Sequence, residues 1–205
     1  MTSPPDLATG DSARPIRHLQ AVTIAWMTIE AVFSIWAAVR ARSPALLAFG
    51  GDSAIELASA AVVLWRFRSP VADERVERRA SRIAGALLLL LAAYVVFVSV
   101  LSLLGYNEPK PTYMGIVVLA LAAAIMPWLA REKRRLSSAT QSAALRADAA
   151  ESMLCAYLSL IALMGLAINA WVGLRWADPA AALAIVPLII WEGYRAMKGK
   201  QCSCG

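Results

Sequence analysis

Six apolar segments, each long enough to cross a bilayer and parted by short polar breaks, leave this chain few ways to fold. About 30 Å of hydrocarbon takes roughly 20 residues of helix at about 1.5 Å per residue. The segments fall near residues 18–39, 45–67, 80–104, 112–130, 145–173 and 178–197. Inside lipid, backbone N–H and C=O groups find no water, so segments of this length are helices. The expected fold is an all-α integral membrane protein, a six-transmembrane-helix bundle over residues 18–197. Residues 1–17, with Pro4, Pro5 and Pro15, are expected to form a disordered N-terminus, and residues 198–205 a flexible cysteine-containing tail. The N-terminal stretch lacks the short apolar core and small-residue cleavage site of a secretory signal, so the first span is expected to be retained.

The breaks carry helix-ending chemistry. Ser43-Pro44 closes the first crossing, because proline disfavours helix at the residue before it. Residues 107–112 hold two prolines, and Asp178-Pro179 sets an acidic cap before proline at a first helical position. Pro127 and Pro187 lie within spans and are expected to kink them. Trp128, Trp171, Trp176 and Trp191 lie near span ends, as interface anchors do.

Of the 205 residues, 60% are hydrophobic and 17% charged, with net charge +6. That balance excludes an ordinary soluble domain. The positive charge does not imply nucleic acid, since no basic patch carries the aromatic interleaving that stacks bases. It follows membrane topology instead. Sixteen of the 20 Lys and Arg residues fall in both termini, the 66–82 loop and the 131–146 segment, so both termini are cytoplasmic. Arg40, Arg42, Lys110 and Arg175 remain for the other side.

Against this apolar background stand several acids. A carboxylate at bilayer depth costs roughly 2.5–3.5 kcal/mol on insertion scales, so each needs a reason. Asp52 and Glu56 are four residues apart and share a helical face, as do Glu151 and Cys155, with Asp148 three residues before Glu151. By helical rise Asp52 lies about 10 Å deep and Glu56 about 16 Å. Glu151 and Cys155 enter from the opposite side to about 9 and 15 Å. In antiparallel helices Asp52 then stands level with Cys155, and Glu56 with Glu151. Three carboxylates and a thiolate around one point suit a tetrahedral divalent ion, zinc first. Each residue also has a plainer reading. Cys155 is otherwise a small buried hydrophobe, and Asp148 an interfacial cap near a helix N-terminus. Glu30, in the middle of the first span, is either a hydrogen-bonded structural acid or part of a proton or ion path. Asn169 reads as a bridge between helices, and Glu192 and Arg195 as an interfacial pair. Cys202 and Cys204 on the tail offer metal capture, palmitoylation or no role. His18, the only histidine, lies at the very start of the first span, far from the depth of Asp52 and Cys155, so the site contains no imidazole.

The stretch Ser43–Ser59, containing Gly50-Gly51-Asp52-Ser53-Ala54-Ile55-Glu56, resembles the second helix of the cation diffusion facilitator family, which carries a D-x-x-x-D ligand pair. Glu56 stands where that pair's second Asp is usual. The stretch Ala143–Cys155 resembles the family's fifth helix, with Glu151 and Cys155 at its H/D-x-x-x-D positions, and Trp176–Ala182 resembles the start of its sixth. The similarity covers roughly residues 20–197. The family usually continues into a cytoplasmic metal-binding domain, and the chain is most similar to a shortened branch without it, which includes vesicular zinc transporters.

The resemblance implies efflux of a divalent cation, zinc first, in exchange for protons, by a homodimer in the lipid bilayer. No resident cofactor is expected, since the cation is cargo. The expected location is a bacterial inner (plasma) membrane. No H-E-x-x-H or Ser/His pair supports an enzyme. The alternative from another class is a non-transporting membrane metal sensor or accessory subunit.

Overall fold

The computed structural model describes residues 13–68, 74–140 and 143–198. They form six helices: α1 Ala13–Ala41, α2 Pro44–Arg68, α3 Glu74–Leu103, α4 Tyr113–Thr140, α5 Ala143–Val172 and α6 Ala177–Lys198. Five of these, all but α2, are long and apolar enough over their described residues to cross a membrane. Helix α2 has 25 residues, about 37 Å of helix, and is the central element, packed against α1, α3, α5 and α6. The chain is thus a helical membrane bundle.

The distribution of side chains is that of a protein dissolved in lipid. Leu90, Val39 and Phe97 face outward, whereas Ser34, Ser53, Ser99, Ser159 and Asn169 are buried. Without a hydrophobic force between helices in lipid, small and polar residues supply close packing and interhelical hydrogen bonds. The apolar core runs through Leu46 and Phe49 of α2, Leu119 and Met126 of α4, Leu158 and Leu166 of α5, and Ile185 and Ile189 of α6.

The helices outrun the expected spans at the ends assigned to the cytoplasm. Helix α1 starts at Ala13, within the stretch expected to be disordered, and α4 continues to Thr140 rather than stopping at residue 130. Hydropathy marks where lipid ends, whereas Arg, Lys, Glu and Gln remain good helix formers beyond it. Helices α4 and α6 run on through Pro127 and Pro187. The expected tail lies outside the described residues, except that Lys198 ends α6.

The other ends are tightly finished. Gly105, at φ 85°, closes α3 with Tyr106 N–H on Leu101 C=O and Gly105 N–H on Ser102 C=O, the paired bonds of a Schellman cap. Lys110 N–H donates to Ala41 C=O at 2.8 Å, and Asn169 Nδ2 to Pro109 C=O at 3.3 Å, joining α1 and α5 to the 104–112 connection. Asp178 sits in the first turn of α6, yet its carboxylate reaches α2. It accepts from Ser43 Oγ at 2.5 Å and Ala45 N–H at 3.1 Å, while Ser43 Oγ accepts from Leu46 N–H at 3.1 Å. A carboxylate on orphan N–H groups complements the positive end of α2. The start of the helix that carries Asp52 and Glu56 is therefore fixed by α6.

Candidate metal centre

Asp52 lies two turns into α2 and is fully buried, at 0% exposure. Gly50 and Gly51 place it there by letting helices come close. A Cβ on Gly50 would stand 2.8 Å from Ser34 Cβ of α1, and one on Gly51 would stand 2.7 Å from Leu91 Cδ1 of α3. Neither Asp52 carboxylate oxygen has a hydrogen-bond partner, nor does Glu56 Oε1. Buried polar groups are ordinarily paired, and buried charges are paired or bind metal. Among the described residues one group of metal-ligating side chains converges: an oxygen from each of Asp52, Glu56 and Glu192 lies within 4.8 Å of the others. The arrangement is therefore a carboxylate cluster open to a cation.

Cys155, Glu30 and Glu151 lie around that cluster. Cys155, fully buried on α5, lies level with the Asp52–Ser53 turn, its Sγ 4.0 Å from Ser53 Oγ. Its thiol donates to Glu30 Oε1 at 3.3 Å. Glu30 also accepts from Ser53 Oγ at 2.7 Å and, on Oε2, from Trp26 Nε1 at 2.7 Å. This buried acid of α1 thus joins α2 and α5. Glu151 is exposed on α5, one turn before Cys155, within electrostatic range of Asp148, Lys133, Glu192 and Arg195. Glu151 and Cys155 stand outside the converging triad.

Asp148 belongs to a different network. Lys133 of α4, only 1% exposed, donates from Nζ to Asp148 Oδ1 at 2.8 Å and to Ser152 Oγ at 2.9 Å. Gln20 Nε2 of α1 donates to Asp148 Oδ2 at 2.7 Å. Asp148 thereby ties α1, α4 and α5 together at the end expected to face the cytoplasm. Lys133 counted toward orientation as a loop cation, but the extension of α4 turns it inward to an ion pair. Arg195, expected to pair with Glu192, lies over the Trp191 ring at 4.5 Å and remains within electrostatic range of Glu192, which turns to α2. The sequence signal for Glu192 was an acid beside apolar residues near a span end, which reads equally as interfacial.

An α-helical membrane bundle with carboxylates clustered on its central helix belongs to the class of proteins that handle cations within the bilayer. The sequence matches the family model described as the cation efflux transmembrane domain over residues 21–199. The chain therefore belongs to the cation efflux, or cation diffusion facilitator, family, whose members are transporters rather than enzymes. An uncharacterized transporter of Synechocystis sp. is a similar protein, 26% identical over 165 residues, covering 76% of this chain and 53% of the relative. The chain spans about half the length of that curated relative.

Proposed function

We propose that this chain is a divalent metal cation efflux transporter, exchanging zinc for protons by alternating access around the acids of α2 and α5. The observation that carries this reading is the trio of buried, unpartnered oxygens on Asp52 and Glu56. Two unit charges about 4 Å apart at an effective dielectric near 20 repel by about 4 kcal/mol. A divalent cation, or protons in its place, relieves that repulsion. Because carboxylate and thiolate ligands bind metal only when deprotonated, cation binding releases protons and protonation releases the cation. That exclusion is the chemical basis of antiport.

In this reading Asp52, Glu56, Glu151 and Cys155 are the metal ligands, with Glu151 and Cys155 closing on α2 as the helices rearrange. Asp148 and Glu30 relay protons or cation along α5 and α1. Cys202 and Cys204 capture metal on the cytoplasmic side. The lipid bilayer is the solvent, the inner membrane of a bacterium the setting, and a homodimer the working unit, as the family resemblance suggests.

The test is zinc flux into sealed proteoliposomes carrying the purified full-length chain. Uptake driven by a proton gradient at fixed voltage, and lost in Asp52→Asn at equal incorporation, is the expected result. Flux indifferent to the gradient would remove proton coupling, and no flux in the wild type would leave a sensor or accessory subunit.

A further inference from the structure

The family resemblance places ligands on α2 and α5, but in this structure the α2 carboxylates meet α6. We propose that Glu192 is a ligand of the transported divalent cation, so that Asp52, Glu56 and Glu192 form an all-carboxylate site. This inference rests on the reading that the α2 pair binds the cargo.

Three independent observations converge on it. The first is geometry. Ligating oxygens of the three residues lie within 4.8 Å of one another, a spacing one cation can bridge. The second is the state of the α2 acids. Asp52 is fully buried with both oxygens unpartnered, and one of them belongs to the group that includes Glu192.

The third is how α6 is held. Next to Glu192, Gly193 packs on Gly85 of α3 so closely that a Cβ on Gly85 would stand 2.5 Å from Gly193 C=O. At its other end α6 is fastened to α2 through Asp178. Both contacts fix the backbone from which Glu192 projects. Arg195 lies over Trp191 while staying within electrostatic range of Glu192, and its charge partly offsets the crowding of acids there.

Cys155 meanwhile is engaged by Glu30. The site as built is therefore all oxygen. Oxygen ligands suit manganese and magnesium better than thiolate does, while zinc accepts both. The cargo class that fits this conformation is an oxygen-bound divalent cation, with manganese admitted beside zinc.

The experiment uses the full-length chain in lipid nanodiscs and equilibrium binding of Zn2+ and Mn2+. Glu192→Gln is expected to weaken both by about tenfold or more, and Glu192→Asp to recover most of the loss. If Glu192→Gln binds as the wild type while Asp52→Asn does not, Glu192 is no ligand and the α2 reading survives. If Asp52→Asn also binds as the wild type, the α2 reading itself falls.

A spectroscopic arm separates ligation from folding damage. Glu192→Cys, with Cys155, Cys202 and Cys204 each changed to Ser, is loaded with Co2+. A sulfur-to-cobalt charge-transfer band in the near ultraviolet, absent from the same chain retaining Glu192, supports ligation at this position. A folded, cobalt-loaded protein without that band overturns it.

Discussion

Asp52→Asn preserves the shape of the side chain and removes one charge from a cluster in which neither Asp52 oxygen has a hydrogen-bond partner. Without metal, this variant is expected to melt at a higher temperature than the wild type. With zinc, the wild type gains stability and the variant does not, because a ligand stabilises only the state that binds it. Thermal scans with and without zinc check both halves, and a lower apo melting temperature would show that Asp52 holds the fold rather than the cargo. Lys133 makes the opposite case. Asp148→Ala strands a buried ammonium with Ser152 alone, at a cost of about 3 kcal/mol. The double change Lys133→Met with Asp148→Leu is expected to recover most of that, since paired apolar replacement of a buried ion pair is often neutral. Thermal stability of the single and double variants in one detergent measures the coupling.

Helix α2 carries the Asp52–Glu56 part of the candidate site and is set by its neighbours at two places. Asp178→Ala removes the acceptor for Ser43 Oγ and Ala45 N–H, and such a cap is worth about 1–2 kcal/mol. The expected result is lower stability together with slower transport, as the start of α2 loses its reference point on α6. Gly50→Ala drives a methyl to 2.8 Å from Ser34 Cβ and 3.0 Å from Ile35 N. Overpacking of this kind costs about 1–3 kcal/mol and would part α1 from α2, breaking the Ser53–Glu30 hydrogen bond. If Gly50→Ala transports as well as the wild type, the close α1–α2 contact is dispensable for function. The helices themselves were legible in the sequence, because lipid imposes a length and a composition on anything that crosses it. The ends assigned to the cytoplasm were not, because Arg131 and its neighbours end the apolar run without ending the helix. The Asp52–Glu56 pair was legible from its period, whereas Glu192 was not. Which way an acid near a span end turns depends on how the helices pack, here with Gly85 of α3 close against Gly193 of α6, and no local pattern records that packing.

At the scale of the whole bundle, the proposed exchange makes cation and proton compete for the same acids on α2 and α6. Zinc binding by the intact chain is expected to tighten as pH rises and to acidify a weakly buffered solution, because protons leave the ligands as metal enters. A binding constant unchanged across the pH range of carboxylate and thiol titration would contradict exchange of one for the other. The central place of α2 also bears on how the chain is made. A helix bearing two acids is a poor candidate to leave the translocon alone, at roughly 2.5–3.5 kcal/mol for each carboxylate. Its close neighbour α1 emerges first and presents Ser34 to Gly50. Insertion of α2 as a pair with α1 is therefore expected, with Asp52 and Glu56 sheltered from lipid during synthesis by the helix made just before them.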